Sequence, residues 1–223
     1  MTIYLLEKSP KELWRGCILG TIAHAIWTAA KPELAYEQSW SDNNYNVSDT
    51  EGTFGTIVFS EDDVVGVFFD SHSPRSPYKS DFELSIEQFF KGMQKSLKPL
   101  ADTALQFMLQ DLKGATIPII TSAFWSAKDH LAANEPWEEV SEHGAHIIRI
   151  QLLDTEKAYS EWKENYNFST QQMELLKSLF ERRLASNNVV LNVDELKVLV
   201  SKGNKGIKQS KELLKSIGIA VAE

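Results

Sequence analysis

Hydrophobic and polar positions change period several times along this chain, and each change marks an element. Ser9-Pro10-Lys11-Glu12 reads as a helix start: serine and glutamate can cap each other, and proline sits where its missing N–H costs nothing. Behind it Trp14, Ile18, Thr21, Ile22, Ala25 and Ala29 form one apolar stripe, so a helix is expected to about Ala30, closed by Pro32. The period then falls to two. Leu34, Tyr36 and Trp40 share one face of an expected strand, with Glu37 on the other. Asp42-Asn43-Asn44 has turn chemistry. Tyr45–Val47 begins a second strand, and Thr53–Ser60 and Val64–Asp70 read as a hairpin closed at Ser60-Glu61-Asp62-Asp63. Together they predict an antiparallel meander.

Pro74 and Pro77 make Ser71–Lys79 a loop. Ser85-x-x-Gln88 has the form of a capping box. Pro99 starts another expected helix, carrying Leu100, Leu105, Met108, Leu109 and Leu112 and ending at Gly114. Thr116–Thr121 suits an edge strand because of Pro118. Residues 122–145 show no clear period, and His146–Leu152 alternates like a strand. The last third is helical in pattern: one helix begins near Asp154, one is capped by Ser169-x-x-Gln172, one is capped by Asn192 or Asp194, and one runs to about Ile217. The pattern predicts an α+β fold. An antiparallel meander from the N-terminal half packs against helices, and the C-terminal third is mainly helical. A single α+β domain over 1–223 is expected, with a possible subdivision into 1–153 and 154–223.

Composition adds little to this: 43% hydrophobic and 24% charged residues are ordinary for a globular chain. The lone Cys17 lies in an apolar helical pattern, which excludes an internal disulfide. No apolar run approaches the ~20 residues needed to span a bilayer, and the N-terminus lacks a signal-peptide pattern. A cytoplasmic protein without cofactor or membrane contact is expected.

Charge placement is less ordinary. Between Pro32 and Pro74 there are nine carboxylates (Glu33, Glu37, Asp42, Asp49, Glu51, Glu61, Asp62, Asp63 and Asp70) and no Lys or Arg. Residues 196–222 carry six Lys and one Glu. Such opposed fields either neutralise each other or meet different partners.

Three constellations are candidates for chemistry. Asp70-Ser71-His72-Ser73-Pro74-Arg75 puts an acid, hydroxyls, an imidazole and a guanidinium at a strand end, the components of a general-base site; Asp70, His72 and Arg75 would carry it. His143 and His146 have a spacing seen in zinc sites, yet Gly144 lies between them, leaving a weak metal candidate. Gly203-x-x-Gly206, between two short helices and among the six lysines, suits a phosphate. It lacks the Arg and aromatic residues of sequence readers, so nucleic-acid binding is not expected. Phosphate-loop, dinucleotide-binding, H-E-x-x-H and G-x-S-x-G motifs are all missing.

The leading expectation is a non-catalytic protein that binds a basic protein partner through an acidic surface. In bacteria that profile suits an immunity-type protein neutralising a basic toxin such as a nuclease. Its expected contact residues are Glu37, Asp42, Asn43, Asn44, Tyr45, Glu61, Asp62, Asp63, His72 and Arg75. The alternative is a hydrolase using the Asp70-His72-Arg75 loop, and a weaker one is nucleic-acid binding through the C-terminal lysine-rich helix pair.

Overall fold

A computed structural model describes residues 2–79 and 85–221. The first elements are β1 (Tyr4–Leu6), α1 (Pro10–Thr28), β2 (Gln38–Ser41), β3 (Asn44–Ser48), β4 (Thr53–Phe59) and β5 (Val64–Asp70). Then come α2 (Ile86–Phe89), α3 (Lys98–Gln106), β6 (Leu109–Leu112), β7 (Ala115–Pro118), β8 (Ser122–Ala127), β9 (His130–Ala133) and α4 (Trp137–Glu142). The C-terminal part holds α5 (Thr155–Asn165), α6 (Thr170–Ala185), β10 (Val189–Leu191), α7 (Val193–Leu199), α8 (Ile207–Ser216) and β11 (Ile219–Val221). The fold is α+β, with the helices concentrated in the C-terminal part. Two compact units are present: Met1–Leu13 with Asn43–Arg149, and Trp14–Asp42 with Ile150–Glu223.

In the first unit the sheet runs β1-β9-β8-β5-β4-β3, and every neighbouring pair is antiparallel. The expected meander is β3-β4-β5. Every residue of β5 is buried, which is why its sequence is a continuous apolar run. Val65, Val67 and Phe69 pack with Trp125 of β8 and with Ala101 and Ala104 of α3. On the other face Phe68 meets Phe124 at 5.8 Å and Phe124 meets Trp137 of α4 at 5.9 Å, between ring centroids. Each such buried side chain contributes about 1.5–3 kcal/mol. Gly66 is required by this packing, since a Cβ there would stand 2.4 Å from Cε1 of Phe124.

The second unit is built around Ile18, Ile22, Ile26, Trp162, Leu176, Leu179 and Leu214, among others. Its helix caps follow the sequence. Ser169 and Gln172 form a capping box on α6, and Asn192 and Glu195 form one on α7. The parallel pair β10-β11 aligns Val189 with Ile219.

Several local expectations need correction. Leu34–Glu37 is not strand but part of a 3-10 turn, Pro32–Glu37, with proline at its start; only Gln38–Ser41 is extended. Tyr36 is consequently 58% exposed, and Gln38 is the buried residue. The helix expected from Pro99 ends at Gln106, because Leu109–Leu112 pairs with Ala115–Pro118. Lys113 and Gly114 have φ of 51° and 85°, the left-handed pair that a tight hairpin demands, so Gly114 closes a hairpin and not a helix. Ser85 makes no side-chain cap, and α2 is a single turn. His146–Leu152 lies in a 3-10 turn, Ala145–Ile148, and the turns that follow it, not in a strand. Residues 122–133 hold β8 and β9, whose alternation vanished because Ser122 to Ser126 are all buried.

Candidate functional site

The Asp70–Arg75 loop leaves β5 and folds back on itself. The carboxylate of Asp70 accepts the His72 N–H at 2.7 Å, and the Ser73 hydroxyl oxygen accepts the Arg75 N–H at 3.1 Å. Thr121, just before β8, accepts from Asp70 N–H at 2.9 Å and donates to the His143 carbonyl at 2.6 Å. Arg75 donates to Glu135 at 2.7 Å, to Glu139 at 3.2 Å and to the Thr121 carbonyl at 3.3 Å. The Ser73 oxygen lies 3.0 Å from Nδ1 of His143, and Nε2 of His143 lies 3.4 Å from Glu139 Oε2.

Ser73, His143 and Glu139 therefore align as hydroxyl, imidazole and carboxylate. With Arg75 N–H already donating to Ser73, the hydroxyl proton is free to point at Nδ1, leaving the ring proton on Nε2 toward Glu139. A nucleophilic serine must also meet substrate. Ser73 is 3% and His143 6% exposed. Arg75 donates to the same Glu139 oxygen, Oε2, that faces His143 Nε2. The arrangement clasps the loop to α4 and to the chain entering β8. His72 points elsewhere: its ring is 3.3 Å from the Ser71 hydroxyl and 3.5 Å from Asp70, with the side chain 68% exposed.

Of this cluster the sequence signalled Asp70, Ser73, Arg75 and His143 without joining them, and missed Thr121, Glu135 and the pairing of Glu139 with His143. Glu139 and His143 are four apart on a helical turn, a spacing that places both on one face and was readable. Nothing in the sequence marks Glu135. His143 and His146 diverge: the first is buried, while His146 is exposed with Nδ1 3.1 Å from the Ser141 carbonyl. Among the described residues no three His, Cys, Asp or Glu side chains gather as a metal site.

The expected contact residues do not form one surface. The β4-β5 turn and Asn43-Asn44 lie at one end of the sheet, since Asn44 pairs with Val58 and the Asn43 carbonyl accepts Phe59 N–H. Asp49, Glu51, Asp70, His72 and Arg75 lie at the opposite end, where Thr53 pairs with Asp70. Tyr45 is wholly buried and offers no contact. Glu37 and Asp42 belong to the second unit. At the β4-β5 turn Ser60 and Asp63 hold each other at 2.8 and 3.0 Å, and Asp63 accepts from the Ser126 hydroxyl at 2.7 Å. Glu61 and Asp62 stand exposed on that braced turn. Lys128 and Asp129 are exposed on the neighbouring β8-β9 turn. Among the described residues Glu33, Asp42, Glu51, Glu61 and Asp62 make no ion pair within their own unit.

The lysine-rich turn spends its amides internally. Gly203 N–H bonds the Val200 carbonyl, Gly206 N–H the Ala29 carbonyl and Ile207 N–H the Asn204 carbonyl. Lys197 pairs with Asp194 at 2.8 Å, and Lys202 donates to the Asn167 carbonyl. No amide of that trio remains to hold a phosphate. Among the described residues no helix is long and apolar enough to cross a membrane. Comparison with family models, with characterised proteins and with solved structures finds no match.

Proposed function

We propose that this chain is a non-catalytic protein that recognises a basic partner protein through the sheet end formed by Asn43, Asn44 and the Ser60–Asp63 turn. An immunity-type role, neutralising a basic toxin such as a nuclease, is the finer form of this reading. One observation carries it: Glu61 and Asp62 are exposed and unpaired among the described residues, on a turn fixed by Asp63 and Ser126. Two like charges held together cost the free protein stability, and a cationic partner relieves that repulsion. A braced turn also loses little freedom on binding. Asn43, exposed beside it, supplies directional hydrogen bonds that charge alone lacks. The hydrolase reading built on Asp70, His72 and Arg75 is the weaker one, because the His72 side chain is turned to solvent while Arg75 is engaged by Glu135 and Glu139.

The test compares capture from the source cell extract by the wild type and by Glu61→Lys/Asp62→Lys. The reading expects a basic protein retained only by the wild type, whose purified form binds less tightly as salt rises. A set of captured proteins that is the same for both baits overturns it.

A further inference from the structure

The second unit buries a tyrosine–histidine pair inside an aromatic stack. α1 places His24 and Trp27 three residues apart, hence on one face. The His24 ring is fully enclosed, and its Nδ1 lies 3.0 Å from the phenol oxygen of Tyr166, at the end of α5. Trp27 stacks on the Tyr166 ring at 4.7 Å and 12°, and Trp162 stacks on it at 5.2 Å and 23°. Trp27 is partly exposed, whereas Trp162 is 5% exposed.

The ionisation of the two groups defines which one gives the proton. A side-chain hydrogen bond with Gln38 favours the ionised phenol, but burial outweighs it. Burial and the Glu37 carboxylate hold the phenol's ionisation far above its ordinary range, so Tyr166 keeps its proton. Burial pushes His24 down to about 4, so the imidazole is neutral at ordinary pH and its Nδ1 lone pair is open to that proton. The Leu34 and Ala35 carbonyls favour the protonated ring. Nε2 is nonetheless without a partner of good geometry in the resting state, a rare condition for a buried nitrogen. Protonating Nδ1 makes the ring a cation, which those two carbonyls stabilise.

We propose that Tyr166 is a redox-active tyrosine: an outer-sphere one-electron oxidant takes an electron through Trp27, and the phenolic proton passes to Nδ1 of His24. The products are a neutral tyrosyl radical, an imidazolium and the reduced oxidant. One electron leaves the protein, and one proton crosses the 3.0 Å hydrogen bond. Re-reduction returns the proton along the same bond. A phenol that loses an electron becomes a strong acid, so a base already in contact removes the main obstacle to oxidation. This activity lies in a different unit from the proposed recognition face and stands or falls separately.

The experiment uses the whole chain with photogenerated tris(bipyridyl)ruthenium(III) as oxidant, followed by transient absorption and electron paramagnetic resonance. The wild type should form a tyrosyl radical, with a rate that slows in deuterated water. His24→Phe should slow its formation about a hundredfold, the low end of what a positioned base contributes. Trp27→Leu should slow it with the tyrosine–histidine pair intact. Fluorotyrosine at position 166, which keeps the packing, should shift the radical's spectrum. An unshifted spectrum, or an unchanged rate in His24→Phe, overturns the proposal.

Discussion

Acid should destabilise the second unit through His24, by an amount that follows from its burial. The imidazole's ordinary value of 6.5 falls to about 4 in the folded protein. Between those values the unfolded chain takes a proton that the folded chain refuses, so unfolding absorbs a proton and stability drops as pH falls. Above 6.5 both states are neutral and the contribution is complete; below about 4 both are charged and it has been lost. At about 1.4 kcal/mol per pH unit, lowering the pH from about 7.5 to about 4.5 removes roughly 2.5 kcal/mol. The assay is urea unfolding followed by tryptophan fluorescence, run on the wild type and on His24→Phe at both pH values. Carboxylate titrations are common to the two proteins and largely cancel in the difference. At neutral pH the variant should be less stable by about 1 kcal/mol for the lost Tyr166 hydrogen bond. In acid the order should reverse. Two proteins that lose stability in parallel would refute the reasoning.

Three further outcomes are expected. Gly66→Ala should cost about 1–3 kcal/mol in thermal or urea unfolding, because its methyl meets the Phe124 ring at 2.4 Å inside a filled core. A fluorophosphonate probe, which labels activated serines, should leave Ser73 unmodified in the native protein; labelling that disappears in His143→Ala would revive the hydrolase reading. DNA at about 150 mM salt should bind in the weak non-specific range of ~10⁻⁴ M or poorer, since the Gly203, Gly206 and Ile207 amides are already bonded within the chain; submicromolar binding lost on replacing Lys205 and Lys208 would contradict this.

The meander was legible because β3 alternates between partly exposed and buried residues, β4 and β5 are short apolar runs, and the turns at 42–44 and 60–63 carry their own chemistry. Ser9, Ser169 and Asn192 announced their helices through bonds made within four residues. β8 was invisible because both its faces are covered, which erases period two. Leu105, Met108, Leu109 and Leu112 matched a helical stripe that a left-handed Lys113-Gly114 turn overrode. At the site, the nine-carboxylate run looked like one surface only because sequence has no ends: consecutive hairpin turns fall at opposite edges of a sheet. The Ser73 clasp joins residues 70 positions apart, a distance no local pattern reports.

Recognition through the Ser60–Asp63 end of the sheet differs measurably from a response to acidity in general. Raising the charge at each end separates the two. Glu61→Lys/Asp62→Lys adds four positive charges at one end and Glu51→Lys/Asp49→Asn adds three at the other, and binding of the captured basic protein is titrated for both by calorimetry at a fixed salt concentration. The first variant should lose binding by about a hundredfold, as expected for close charge pairs at an interface, while the second stays within a few fold of the wild type. Equal losses in both variants, or a loss confined to the second, would contradict it.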